Sequence, residues 1–554
     1  MMKYIISICL LLLGCFSCKT KSLENKDTPT DKIPSDEIVY YETVPDAPVS
    51  KHFVSEIFIN GKWCKSATLE TECVESEKLK PYERPNFPMT GWTMSWTSFE
   101  IPEGKSVQLR IKRIDGLPLD SWSLKPKSKN IPAKKEGDWL VLTIDKPCQL
   151  ALDPNNELNN YNLGTTDPSS VKFHNLAIFV NPHLEDSRPY PNDPNVYCVK
   201  PGELPPEDGD WQTVYFLPGV HHIKRPAGNL MRPYFLKSDK QYYIPGDAFL
   251  YGTIYTKNTE NVRLFGYGTV SGLKNHTPKS SPERWEKKLW YKGFNGSNVK
   301  NLHLEGVYFC DAAFHTVAIY GKDNPDATNY IKNVKISTWR GNGDGFYLTG
   351  YTQVEDCFLR CQDDCLYTGS GSKGLVARGL TTWTDHNGSA FIFTAGGSGQ
   401  NVMVSDCDVI YSRSKPAFGN GMGGRVFNLR SLKKDASISN ISFENIRIDD
   451  PNRNEVFYVM AQFLKIPPRT ASGNVLNPEK KEYVALDPDE NHAFSNILFK
   501  DIEIVHDLGM QSKFYGSGKN YSVTFDNVTI EGKKATRPED LHLDVKNFPG
   551  LIFK

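Results

Sequence analysis

Two short acidic motifs carry the residue types best suited to chemistry. Gly341-Asn342-Gly343-Asp344-Gly345 is followed by Cys361-Gln362-Asp363-Asp364-Cys365. From Asp344 to Asp364 is 20 residues, close to one coil of a compact solenoid. Stacked strands lie about 4.8 Å apart, so Asp344 is expected over the Asp363-Asp364 pair. Neighbouring residues of an ideal strand point to opposite faces. A turn or bulge must therefore bend the chain if both aspartates are to share one cleft. Crowded carboxyl groups raise at least one pKa and keep a proton available near neutral pH. One protonated and one ionised carboxyl is what cleavage of a glycosidic bond requires. A lone Asp-Asp pair would read as a solvated turn or a calcium site; two such motifs one coil apart favour the acid–base cluster.

The elements around these motifs are short strands. Residues 38–200 alternate apolar and polar side chains, as in Val107-Gln108-Leu109-Arg110-Ile111, which predicts half-buried antiparallel strands in a β-sandwich. Residues 182–210 are rich in proline, asparagine and aspartate and are expected to be a linker. Residues 201–554 are assigned to a second domain. There the form apolar-x-apolar-x-x-apolar-x-apolar recurs, in Ile441-Ser442-Phe443-Glu444-Asn445-Ile446-Arg447-Ile448, again at 497–504 and again at 523–530. Recurrence at irregular intervals of roughly 20–40 residues marks a solenoid with loop insertions. A β-propeller would need longer blades and a regular period. The fold expected is all-β: an N-terminal β-sandwich followed by a right-handed parallel β-helix.

Lysine plus arginine equals aspartate plus glutamate at 65 each, which argues against a nucleic-acid partner. Residues 1–18 read as a lipoprotein-type signal peptide: Lys3, a short apolar run, then Leu12-Leu13-Gly14-Cys15. Cys15 is the expected lipidation site, with Cys18 as an alternative. Residues 19–37 read as a polar tether. The chain is thus expected in the cell envelope, exported across the inner membrane and held to a membrane through a lipid anchor alone, as a monomer. Beyond the leader stand Cys64, Cys73, Cys148, Cys198, Cys310, Cys357, Cys361, Cys365 and Cys407. Their spacing lacks paired CxxC units, so they read as buried apolar residues. No metal and no cofactor is expected.

Asn342-Gly343-Asp344-Gly345 and Gln362-Asp363-Asp364-Cys365 resemble the motifs of the polygalacturonase and dextranase clan, glycoside hydrolase families 28 and 49. The preceding sandwich, Val214-Tyr215-Phe216-Leu217-Pro218-Gly219-Val220-His221 and Thr382-Trp383 lean toward the dextranase-like family 49. The resemblance implies inverting hydrolysis of a polysaccharide, with Asp363 as general acid and Asp344 and Asp364 activating water. An α-glucan such as dextran is the expected substrate. The alternatives are pectin or another plant or algal glycan, or a non-catalytic carbohydrate-binding solenoid; a lyase on the same fold is disfavoured by the aspartate motifs. Two departures stand out. Family 49 usually has a lysine shortly after the paired aspartates, where this chain has Leu366-Tyr367-Thr368. Family 28 has a Gly-His-Gly, which His386-Asn387-Gly388 matches only approximately, and an Arg-x-Lys, which does not occur at the expected place; Arg425 or Arg430 is the alternative cation. The expected substrate contacts are Asn342, Tyr367, Trp383, His386 and Arg425. His386 is open between flanking the cleft and an ordinary turn position, and His315 reads as a packed strand histidine.

Overall fold

The computed structural model describes residues 36–72, 93–157, 174–184, 187–223, 225–227, 230–272, 292–339, 343–369, 372–385, 388–395, 399–412, 425–431, 437–449, 455–460, 462–465, 482–485, 493–506, 511–516 and 521–554. The leader, Cys15, Cys18 and Cys73 lie outside them.

Alternating apolar residues in Phe53–Ile59, Val107–Arg113 and Trp139–Ile144 turn one face of a five-stranded antiparallel sheet inward. That face packs Ile57, Leu109 and Leu142 against Phe99, Leu150 and Ile178 of a second sheet. The second sheet departs from the expected all-antiparallel pattern: His174–Pro182 runs parallel to Thr93–Ile101. It also departs from half-burial. Thr93–Ile101 and Cys148–Pro154 are buried almost throughout, because the outer face of this sheet is covered as well. Met94, Trp96 and Phe179 on that face pack against Tyr308, Trp339, Phe358, Trp383 and Tyr411 of the solenoid.

The solenoid winds three strands per coil. One coil runs Asn329–Lys332, Lys335–Ser337, Phe346–Thr349; the next runs Thr352–Glu355, Phe358–Cys361, Leu366–Thr368. Each strand pairs in parallel with its counterpart one coil on. The repeating sequence form has a direct cause. Its central residue, Asn445, Asp501 or Asn527, adopts φ of 52°, 52° and 54°, a left-handed conformation that asparagine and aspartate tolerate best after glycine. The chain bends there and passes from the first row of strands to the second. Side-chain ladders tie these corners together: Asn445 Nδ2 donates to Asp406 Oδ1 at 2.7 Å, and Asn527 Nδ2 to Asp501 Oδ1 at 2.7 Å. Inside, Phe443, Phe499 and Phe525 stack at 5.2 and 5.3 Å, each contributing roughly 1.5–3 kcal/mol by burial.

The expected linker is more ordered than its composition suggests. Val196–Val199 already pairs in parallel with Thr213–Phe216, so the solenoid sheet begins before residue 201. Arg188 reaches back to the fully buried Glu100 of the sandwich, Nη2 to Oε2 at 2.6 Å. The outer face of the second row is where the sandwich docks. There Arg360, fully buried, lies between the rings of Trp339 and Trp383 and bonds Asp385 Oδ2 at 2.9 Å. Lys335 Nζ donates to Asn181 Oδ1 at 2.5 Å across the same interface. Burial pushes that ammonium down to about 7. The described cysteines are free thiols, all buried except the partly exposed Cys198, as their spacing suggested.

Candidate active site

The third row of strands sets the geometry. Val317, Phe346, Leu366 and Phe391 are in register on successive coils. The residues two positions earlier therefore stack as well: His315, Asp344, Asp364 and Ser389. Backbone bonds continue through these turns. Thr316 N donates to Asp344 O, Gly345 N to Asp364 O and Cys365 N to Ser389 O, each at 2.8 Å. Asp344 and Asp364 thus sit on adjacent rungs, about 4.8 Å apart along the helix axis. The chain bends at Gln362 and Asp363 rather than continuing as a strand, so the face alternation of an ideal strand does not apply to the aspartate pair. Asp363 N donates to Gly343 O at 3.4 Å, which ties its turn to that of Asp344.

All three carboxyl groups are buried, at 4% exposure for Asp344, 6% for Asp363 and 9% for Asp364. Burial and the neighbouring Asp363 push Asp364 up to about 7. Burial first, then Asp363 and Asp364, push Asp344 well above the carboxylate range. The three share protons as one system, and the cluster holds a proton at neutral pH. Three groups bear on particular members. Ser389 N donates to Asp364 Oδ1 at 2.6 Å, and the Arg430 guanidinium lowers the same carboxyl. His315 Nε2 lies 3.2 Å from Asp344 Oδ2. Asn428 Nδ2 donates to Ser389 Oγ at 2.9 Å and so braces that turn.

Two glycines permit this compression. A Cβ on Gly388 would lie 1.8 Å from the Asp363 carbonyl carbon and 2.2 Å from Asp364 N. A Cβ on Gly345 would lie 2.6 Å from Cys365 O and 2.8 Å from Cys361 Sγ. Gly388 was visible in the sequence as the end of His386-Asn387-Gly388, but its role is steric and falls on the aspartate turn itself.

The expected substrate contacts separate. Tyr367 lies on the outer face of the third row, stacked on Tyr347 at 4.9 Å. Tyr347 stacks on His315 at 5.3 Å, and His315 on Phe314 at 4.0 Å. This aromatic run borders the carboxylates. Trp383 does not: it is fully buried under the sandwich, with Nε1 donating to Asp385 Oδ1 at 2.8 Å. Its side chain faces the sandwich rather than the cleft, which rules it out as a substrate contact. Arg425 continues the column above Ser389 but is committed, with Nε 2.8 Å from Glu455 Oε2 and the guanidinium 3.7 Å from the Tyr458 ring centre. Asn342 and His386 lie outside the described residues. His315, read in sequence as a packed strand residue, is instead in the turn preceding Val317–Gly321 and against Asp344. Among the described residues no group of three or more histidine, cysteine, aspartate or glutamate side chains is arranged to hold a metal ion.

Comparison with known proteins bears on the chemistry. The family model described as Glycosyl hydrolases family 28 matches residues 247–465, a segment that contains the whole carboxylate cluster. The chain is a glycoside hydrolase. Among solved structures, the hydrolase resembles Dex49A from Penicillium minioluteum at a TM-score of 0.69 and 16% identity, over 94% of this chain and 97% of that one. It also matches the Family 28 exopolygalacturonase of Yersinia enterocolitica at a TM-score of 0.43 and 14% identity, over 93% of this chain and 94% of that one. No curated protein matches the hydrolase in sequence. The first likeness spans both the sandwich and the solenoid and carries the fold.

Proposed function

We propose that this hydrolase cleaves a polysaccharide by single displacement with inversion, using Asp363 as general acid and Asp344 and Asp364 to hold and deprotonate water. The observation that carries the reading is the column: three buried carboxyls in turns of adjacent rungs, crowded enough to keep a proton. Ser389 and Arg430 oppose the rise of Asp364, and Lys292 opposes that of Asp344, which suits the two base roles. The family likeness gives Asp363 the acid role.

A neutral α-glucan such as dextran is the proposed substrate. Arg425 is spent on Glu455 and Tyr458, whereas Tyr347 and Tyr367 offer aromatic surface suited to sugar rings. One observation favours an anionic glycan such as pectin as the second reading. Arg430 Nε is buried and meets no hydrogen-bond partner among the described residues, so this cation retains capacity for a carboxylate. Incubation with a panel of neutral and anionic polysaccharides, followed by reducing-end and unsaturated-sugar assays, tests the proposal. New reducing ends without new absorbance on dextran support it. Absorbance growth means elimination, release from pectin alone favours the second reading, and silence on every glycan favours a binding role.

We further propose a monomer held in the cell envelope through a lipid on Cys15. Fractionation of cells producing the Cys15→Ser variant tests this: release from the membrane fraction supports it, and retention contradicts it.

A further inference from the structure

The column of the active site extends past the aspartates on its N-terminal side. Phe294 is in register with Val317, which places Lys292 on the rung beside His315, as His315 is beside Asp344. Lys292 is buried at 8% exposure. Its Nζ donates to Asn295 Oδ1 at 3.1 Å and to Tyr320 OH at 2.8 Å. Both partners are neutral, and no carboxylate among the described residues forms an ion pair with this ammonium. The opposite charge it feels along the column is that of Asp344.

We infer that Lys292 and His315 are positioning residues that favour the ionised, water-activating state of Asp344 against the crowding of Asp363 and Asp364, leaving the cluster's proton to the acid. This rests on the single-displacement reading above.

The chemistry of His315 supports it. Its ring lies between Phe314 and Tyr347. Burial, then the charge of Lys292, push the imidazole down to about 3, so it is neutral at working pH. A neutral imidazole has one proton to place. Nδ1 is buried with no partner among the described residues, and Nε2 faces Asp344 Oδ2 at 3.2 Å. Protonation at Nε2 turns the N–H end of the ring dipole toward the carboxylate 3.2 Å away. The other tautomer would strand an N–H and turn a lone pair toward the anion. Lys292 therefore acts twice: it keeps His315 a neutral donor and supplies the cation that opposes the crowding on Asp344.

The groups facing Asp344 set the balance. Asp363, Asp364 and the Cys365 thiol raise it, Lys292 lowers it, and the Tyr320 and Tyr347 phenols are raised by burial first and in smaller part by its charge. Lys292, lowered by burial to about 8, remains largely charged at neutral pH. Deleting its charge makes Asp344 take up a proton at higher pH, so the acidic limb of kcat/KM must move upward.

The test is the pH profile of kcat/KM for wild type, Lys292→Met, His315→Phe and His315→Gln on a glycan the wild type hydrolyses. Lys292→Met is expected to move the acidic limb up by about one pH unit, the lower end of the effect of an opposite charge, with most of the rate recovered on the plateau. His315→Phe is expected to move it in the same direction, and His315→Gln, which keeps a donor, to restore most of the wild-type profile. Loss of rate at every pH with an unmoved limb, or failure of glutamine to rescue, would overturn the inference. If Lys292→Met does not fold, the two His315 variants decide alone. Infrared titration of the protonated carboxyl band, assigned with Asp344→Asn, needs no substrate. An upward shift in Lys292→Met supports the inference even where the proposed substrate proves wrong, and an unshifted band refutes it.

Discussion

Gly388→Ala is the sharpest steric probe of the cluster. A Cβ there would overlap the Asp363–Asp364 peptide, at 1.8 Å from Asp363 C, 1.9 Å from Asp363 O and 2.2 Å from Asp364 N. All three atoms are backbone, so no side chain can swing aside. Restoring ordinary contact requires the two rungs to part by about 1.5 Å, and a misplacement of roughly 1 Å costs on the order of 100-fold in rate, or ~2.7 kcal/mol in the barrier. The Ser389 N to Asp364 Oδ1 bond of 2.6 Å lies one residue away and would be strained by the same movement. Overpacking should also lower stability by about 1–3 kcal/mol. The assay is kcat by reducing-end release, with denaturant midpoints and circular dichroism to confirm a folded β-helix. Wild-type kcat and an unchanged midpoint would refute the stacked geometry of residues 363, 364 and 388.

Three further outcomes follow from the same coordinates. Asp363→Asn should lower kcat by roughly 10²–10⁴-fold, the usual worth of a general acid, with an unchanged unfolding midpoint; near-wild-type turnover would remove Asp363 from the acid role. Asp364 is raised in the fold from 3.8 to about 7, so the folded state favours its protonated form and stability is lost as pH rises from about 4 through 7. Asp364→Asn should therefore be more stable than wild type by roughly 2–4 kcal/mol at pH 8 and indistinguishable at pH 4, as read from urea titrations at the two pH values. Arg360→Met strands the buried Asp385 carboxylate and should cost about 3–5 kcal/mol, with much of it regained in Arg360→Met/Asp385→Leu; equal stability of both variants would contradict a paired buried charge.

The fold was legible because solenoid strands repeat their chemistry. Ile441 to Ile448 shows inward residues, a left-handed corner residue and a second inward set within one line of sequence. The aspartate motifs were legible because one coil separates them. Other features depend on contacts that spacing does not encode. Trp383 and Trp339 face outward from the second row as any cleft aromatic would, and only the docking of the sandwich on that row buries them. Arg425 carries the right charge at the right rung, yet Glu455, 30 residues on, neutralises it. His315 and Lys292 stand 29 and 52 residues before Asp344, on coils of unequal length, so no fixed period could have aligned them. The parallel pairing of His174–Pro182 with Thr93–Ile101 was hidden for the same reason.

The anomer released first tests the central claim most directly. Retaining and inverting enzymes differ in whether a carboxylate or a water attacks the sugar, so the stereochemical outcome discriminates between a water held by Asp344 and Asp364 and a carboxylate attacking the sugar. Proton NMR of an α-linked glucan during the first minutes of hydrolysis should show the β-anomer appearing first and the α-anomer growing only by mutarotation. Initial accumulation of the α-anomer would contradict single displacement by the three-aspartate column.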